Sequence, residues 1–257
     1  MNATQSVLID YDRVANLYDD YVRVGFDVPF FLNAAKQAAG DVLELMSGTG
    51  RVSLPLIEAG VRLTCVDHSA KMLAVLRRKL EQRQLAAEVY EMDVRELSLP
   101  RQYSLAFIPF HSLAELVSPE DRRQTLTRIY EHLVPGGHLI CALHNPTVRA
   151  QSVDGQLHLI GTHTRADRSG TLVDWIVEAR SPSSSIVDGC EFFEEYDADS
   201  VMCSRQLMEI HYALISREEF EAMTESIGFR VVSLHGDYAG SEFSETSPFM
   251  IWTLERS

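Results

Sequence analysis

Three acids, Glu44, Asp67 and Asp93, each stand at or near the end of a short apolar run. The first is followed by Gly48-Thr49-Gly50 and then by residues with helical apolar spacing. A strand that passes through a glycine turn into a helix presents bare backbone N–H groups at a helix N-terminus. A carboxylate after the second strand, Asp67, can accept two hydrogen bonds from ribose hydroxyls. Asp93, in Met92-Asp93-Val94, can accept one from an adenine amino group. Together these residues suit an adenosine-like group with a polar tail.

A second set of residues could handle protons. Glu115, His111 and His144 are candidate proton acceptors, with Tyr11 and Tyr18 as hydrogen-bond partners. Tyr11 to Asp20 reads as a helix, which puts the two tyrosines two turns apart on one face. The same residues fit a satisfied strand-end histidine and a packed apolar stripe. Between residues 174 and 196, Asp174-Trp175, Glu178 and Glu191-Phe-Phe-Glu-Glu-Tyr196 mix acids with rings. Such a face suits a cation, or is an alternating strand with a solvated side. His158, His163 and His211 match no metal-ligand spacing, so no metal is expected.

The elements that must position these groups alternate. Strands are expected at Val42 to Met46, Val61 to Val66, Ala87 to Tyr90, Leu105 to Pro109 and His138 to Leu143. Helices are expected at Val52 to Ala59, from Ser69 to about Gln82, and from Ser118-Pro119 to before Pro135-Gly136-Gly137. Repeated β-α units imply an α/β fold with a doubly wound, mostly parallel sheet. Past Asn145-Pro146 the period changes. Leu157 to Thr164, Leu172 to Ala179, Glu191 to Tyr196 and Met202 to Ile215 are β-rich, separated by clusters such as Ser181-Pro-Ser-Ser-Ser185. They read as an inserted antiparallel sheet. Ser216-Arg-Glu-Glu219 opens a helix as a capping box, and Gly228 ends it. Phe229 to Leu234 and Pro248 to Leu254 have no helix between them and must be antiparallel. The expected division is residues 1–146 and 217–257 as the nucleoside-binding core and 147–216 as the insertion, a substrate cap or a subunit contact of a homodimer.

Bulk properties narrow the class. The 257 residues are 46% hydrophobic, which suits one large domain or one domain with an insertion. A formal charge of −14 repels phosphate backbones and argues against a nucleic-acid partner. Cys65, Cys141, Cys190 and Cys203 form no CxxC pair and read as reduced thiols. Met1-Asn-Ala-Thr-Gln-Ser lacks the basic and apolar regions of a leader, and no apolar run is long enough to span a bilayer. A cytoplasmic chain without membrane attachment is expected.

Either a nicotinamide or an S-adenosylmethionine site would explain Asp67. The third small position of the glycine turn is Ser53, a weak match to a dinucleotide site. Glu44 before the turn, the acid closing the third strand and the terminal strand-loop-strand hairpin favour the second. The chain resembles a class I S-adenosylmethionine-dependent methyltransferase. Glu44-Leu-Met-Ser-Gly-Thr-Gly50, Val66-Asp67-His-Ser-Ala-Lys-Met72, Glu91-Met-Asp93-Val and Leu133-Val-Pro-Gly-Gly-His-Leu139 are similar to that family's motifs in order, over residues 41 to 145. The resemblance implies S-adenosylmethionine as cofactor and S-adenosylhomocysteine as product. It places Glu44, Gly48, Thr49 and Gly50 at the methionine part and Asp67 and His68 at the ribose. Met92, Asp93 and the Val94 N–H fall at the adenine. Met72 packs on the adenine or belongs to the core, and Tyr18 and Phe110 reach the cofactor.

No Asn/Asp-Pro-Pro-aromatic motif follows the fourth strand and no Pro-Cys pair is present, so a small-molecule acceptor is favoured. The N-terminal helix and the β-rich insertion are similar to bacterial small-molecule N-methyltransferases, amino-sugar N,N-dimethyltransferases above all. That group commonly has His where this chain has Glu115. A carboxylate there suits a cationic amine. The resemblance implies methyl transfer by direct in-line displacement, most simply to nitrogen, with Glu115, His111 and Tyr11 as candidate catalytic residues. O-methylation of a small metabolite and a non-catalytic, cofactor-binding regulator are the alternatives.

Overall fold

The computed structural model describes residues 8–165, 170–180 and 183–257. Met1 to Ser6, read above for a leader, and Ser181-Pro182 of the separating cluster lie outside them. In chain order the strands are β1 Val42–Leu45, β2 Leu63–Asp67, β3 Glu88–Glu91, β4 Tyr103–Ile108 and β5 Leu133–His144. Then come β6 Leu157–Thr164, β7 Thr171–Ala179, β8 Ile186–Tyr196, β9 Met202–Ala213, β10 Phe229–His235 and β11 Phe249–Arg256.

Seven strands form one sheet in the order β10-β11-β5-β4-β1-β2-β3. β1, β2, β3, β4 and β5 pair in parallel, and β11 runs antiparallel to both β5 and β10. All four β1 residues are buried, as an apolar run covered on both faces requires. The long helices start and stop where local chemistry directs. Ser69 Oγ accepts from the Met72 N–H, and Ser118 with Pro119 opens Pro119–His132. Ser216 Oγ accepts from the Glu219 N–H, and Gly228, at φ +115°, ends Arg217–Ile227.

The chain turns one way from β1 toward β2 and β3, and the other way from β4 toward β5. The carboxyl ends of β1 and β4 therefore flank a topological switch point, where open α/β sheets bind ligands. Three non-glycine residues at these two ends have left-handed backbone: Met46 at φ 57°, Phe110 at 57° and His111 at 67°. Such residues are uncommon and gather where a site over-determines the backbone.

β6, β7, β8 and β9 make a separate antiparallel meander. Residues opposite each other across a ladder share a face. The register puts Ile176, Glu191 and Met208 on one face, flanked along their strands by Asp174, Glu178, Phe193, Ile210 and Tyr212. Leu172, Phe193 and Met208 on it pack against Ile9, Val14 and Leu17. The acids and rings of the insertion are thus divided. Trp175 and Glu194 lie on the opposite face, joined by an indole N–H donated over 3.3 Å.

The expected N-terminal helix is corrected. Tyr11–Arg13 is a single 3₁₀ turn and Tyr18–Tyr21 a single α-helical turn. Val14, Ala15 and Leu17, between the two, are buried, so packing against the small sheet overrides helical continuity. Tyr11 and Tyr18 still meet edge to face, ring centres 6.1 Å apart. A helix over Val28–Gln37 was not expected. β5 begins earlier than read, because Pro135-Gly136-Gly137 is taken into the strand across an irregular register. Cys65 and Cys141 are buried, Cys190 is half-buried, Cys203 is exposed, and all four are free thiols. Among the described residues no helix is long and apolar enough to cross a membrane.

Candidate active site

Two cavities meet at the switch point. The first is narrow, about 50 Å³, and is lined by Tyr11, Tyr18, Met46, Gly48, Asp67, His68, Met72, Phe110, Ser112 and Glu115. The second, about 390 Å³, lies between the C-terminal ends of β4 and β5 and the small sheet. Its wall includes Ile9, Phe26, His111, His144, Arg149, Glu191 and Tyr212. Tyr11, Phe110 and Glu115 line both.

Gly48 lines the first cavity, and Gly50 turns the chain back against the core leucines Leu54 and Leu76. Both have positive φ, 55° and 86°, and a Cβ on Gly50 would meet Leu76 Cδ1 at 2.4 Å. Asp67 ends β2 and is 6% exposed. Its carboxylate accepts from the backbone N–H of Gly48 and of Ser69, each at 2.8 Å. Burial raises its pKa, and these two N–H groups oppose the rise. His68 Nδ1 lies 3.7 Å from the same carboxylate.

Several expected cofactor residues do not line this cavity. The Glu44 carboxyl turns into the core, where Ser53 Oγ donates to it at 2.6 Å and burial pushes it up to about 8. Thr49 Oγ donates to Asp19 at 2.7 Å, so this side chain ties the N-terminal segment to the glycine turn. Met92 Sδ accepts from the Ser98 N–H. Asp93 is held by the Arg95 guanidinium and by the Arg95 N–H. Burial works against ionised Asp93, but the Arg95 hydrogen bonds prevail and lower its pKa. Arg95 itself is buried and also bridges Asp121 at 3.1 Å.

The partition between the cavities is built from groups distant in sequence. The Tyr11 hydroxyl donates to Glu115 Oε1 at 3.1 Å. Burial raises the Glu115 carboxyl to about 8, with the Tyr11 hydrogen bond opposing and the Asp67 charge adding. Burial also holds Tyr11 and Tyr18 well above the ordinary phenol range. His111 stacks on His144 with ring centres 3.6 Å apart, and on Phe249 at 5.2 Å. Burial and the neighbouring cations Arg149 and Arg51 depress the His111 pKa, and His144 falls to about 3, so both rings are neutral. His111 Nδ1 is buried without a hydrogen-bond partner. Phe110 lies under the Arg51 guanidinium, 4.6 Å from the ring centre.

A family model described as a methyltransferase domain matches residues 42–137, from β1 into β5, the stretch that builds the glycine turn, Asp67 and the Phe110–Glu115 wall. The chain is an S-adenosylmethionine-dependent methyltransferase. This methyltransferase is 26% identical over 217 residues to a cypemycin N-terminal methyltransferase of Streptomyces, covering 84% of this chain and 82% of the relative. It is 28% identical over 148 residues to a dTDP-3-amino-3,6-dideoxy-alpha-D-glucopyranose N,N-dimethyltransferase of Streptomyces fradiae, covering 54% and 56%. Its fold superimposes on an S-adenosylmethionine-dependent methyltransferase of Clostridium acetobutylicum with a TM-score of 0.82. That match has 16% identity and covers 96% and 99% of the two chains.

The residues present fit the cofactor. Asp67 offers a buried carboxylate beside the glycine turn, Ser47 Oγ is buried without a partner, and Met46 and Met72 supply apolar wall. Tyr11 and Tyr18 line this cavity, whose volume of about 50 Å³ is that of a water or two and smaller than an adenosine.

Residues of the second cavity that the sequence did not single out are Ile9, Phe26, Ala114, Arg149, Ile176, Ile210, Tyr212 and Phe249. They come from the N-terminal segment, the turn after β4, the residues after β5, and β7, β9 and β11. No motif spacing links them. Glu191 had one sequence signal, an acid beside rings on an alternating strand.

Proposed function

We propose that this methyltransferase transfers its methyl group to the neutral amine nitrogen of a small molecule held in the 390 Å³ cavity. The observation that carries the reading is the shared wall. Glu115, hydrogen-bonded to Tyr11, faces both cavities, and rings of Tyr11, Phe26, Phe110, Tyr212 and Phe249 surround the second. Rings and a buried carboxyl are a pairing that holds ammonium groups. Two relatives named for N-methylation support nitrogen over oxygen.

When bound, the cofactor supplies a methyl group activated by its sulfonium. Asp67 would hold the ribose hydroxyls and the Gly48–Gly50 backbone the methionine part. Tyr18, His68, Met72 and Phe110 would close around it. The chain's own work is alignment, exclusion of water and removal of one proton. Alignment of a bound pair contributes on the order of 7–11 kcal/mol in favourable cases. An ammonium binds against a carboxylate, yet only the neutral amine has a lone pair. Glu115 suits both needs, because a carboxyl near pKa 8 exchanges a proton with an alkylamine over a small free-energy gap. Tyr11 orients the carboxyl through its hydroxyl. His111 and His144, neutral and stacked, offer imidazole lone pairs rather than charge. The four-stranded sheet acts as a substrate cap.

The test is a labelled-methyl assay with a panel of primary amines and hydroxyl-bearing analogues matched in carbon skeleton. Label on nitrogen is the expected outcome. Label confined to the hydroxyl compounds would replace this reading with O-methylation.

A further inference from the structure

The second cavity holds an acid that the transfer chemistry does not use. Glu191, on β8, lines it from the small sheet, on the face it shares with Ile176 and Met208. Burial pushes Glu191 up to about 8, and the Asp174 and Glu178 charges add to the rise. Those two neighbours are already engaged. Arg149 Nη2 donates to both Glu178 oxygens at 2.6 Å, and the Tyr212 hydroxyl donates to one at 2.9 Å. His163 Nε2 lies 3.1 Å from Asp174. Among the described residues neither Glu191 nor Glu115 has a Lys, Arg or His nitrogen within ion-pair distance.

A buried carboxyl without a cation costs stability unless a ligand completes it. Glu115, in the turn Ser112–Glu115 after β4, and Glu191, on β8 of the small sheet, line the one cavity from different elements. An independent sign of a ligand sits in the same wall. His111, which lines the cavity, has its Nδ1 buried and unpartnered, on a ring that burial keeps neutral.

We infer that Glu191 is an acceptor-binding residue, and that the acceptor carries two basic nitrogens, one presented to Glu115 and the other held by Glu191. The inference rests on reading the 390 Å³ cavity as the acceptor site, and it narrows the substrate class to small diamines and diamino compounds. Glu191 discriminates by charge, because a monoamine leaves one of two buried carboxyls without a partner.

The experiment is calorimetry on the full chain saturated with S-adenosylhomocysteine. The probes are diaminopropane through diaminohexane, each against the monoamine of equal carbon number. At least one diamine should bind about ten-fold or more tightly than its monoamine, as one charge-assisted hydrogen bond provides. Glu191→Gln should abolish that preference while S-adenosylhomocysteine affinity stays unchanged. No preference at any chain length, or a preference that survives in E191Q with that affinity intact, overturns the inference. The wild-type preference is read without a variant, so poor folding of E191Q does not protect it. The site of transfer is read separately. A diamine preference with methyl appearing only on oxygen would remove amine methylation and leave Glu191 as a cation site.

Discussion

Replacing Glu115 with Gln should make the protein more stable and a poorer enzyme. The amide keeps the size of the side chain and can still accept from the Tyr11 hydroxyl, now at 3.1 Å from Oε1. What it loses is the proton-accepting form. The sign of the stability effect follows from the raised pKa. Below the ordinary value of 4.5 the carboxyl is protonated whether the chain is folded or not. Between 4.5 and about 8 the unfolded chain ionises and the folded one does not, so folding is progressively disfavoured as pH rises. At about 1.4 kcal/mol per pKa unit, the full gap would be worth about 5 kcal/mol above pH 8. Contact of the carboxyl with two cavities lets water relieve much of that, and a gain of roughly 1–2 kcal/mol in E115Q is the working figure. Denaturant unfolding at pH 5 and pH 8.5 measures it, with the variant's advantage confined to the higher pH. Turnover should fall about 10²-fold or more, the contribution of a positioned base. The wild-type rate should climb through pH 8 as the carboxylate form takes over, and E115Q should lack that limb. S-adenosylhomocysteine affinity should hardly change. A variant with wild-type turnover and an unaltered pH profile would refute the assignment of Glu115 as the base.

Tyr11→Phe removes the hydrogen bond that opposes the rise of the Glu115 pKa, so the rising limb of the rate profile should move to higher pH and turnover at pH 7.5 should drop. Asp67→Ala should weaken S-adenosylhomocysteine binding about ten-fold or more by calorimetry. It should also cost about 1–3 kcal/mol of stability, because the Gly48 and Ser69 N–H groups lose their acceptor. Arg95→Met leaves two acids, Asp93 and Asp121, without their shared cation. Thermal unfolding should report a loss of about 3–5 kcal/mol.

Much of the fold was legible because its signals are local. Burial on both faces makes β1 a continuous apolar run, and Ser69, Ser118, Ser216 and Gly228 mark helix ends within a few residues. The break between Tyr11 and Tyr18 was not legible. Its cause is packing of Val14 and Leu17 against Phe193 and Met208, residues about 180 positions away. The nucleoside half of the site follows chain order, strand end after strand end, so Gly48, Asp67 and Phe110 could be named. Asp93 showed the limit, since no spacing rule announced that Arg95 would engage its carboxylate and Asp121 together. The acceptor half is assembled from seven segments of the chain: the N-terminal segment, the turn after β4, the end of β5 with the residues after it, and β7, β8, β9 and β11. Arg149, Tyr212 and Phe249 carry no pattern that separates them from ordinary strand residues.

The segment from Ile9 to Tyr21 has a kinetic consequence. It contributes wall to both cavities and rests on the small sheet. It is also pinned to the nucleotide half, with Ser69 Oγ and the Lys71 N–H donating to Asp12 and Lys79 paired with Asp19. One segment therefore walls both chambers. Direct transfer across that shared wall requires methyl donor and acceptor to be bound together, which makes the proposed reaction a ternary-complex one. Initial-rate lines plotted in double-reciprocal form should intersect rather than run parallel. The spent cofactor, lying beneath Tyr11 and Tyr18, should leave last and inhibit competitively against the fresh one.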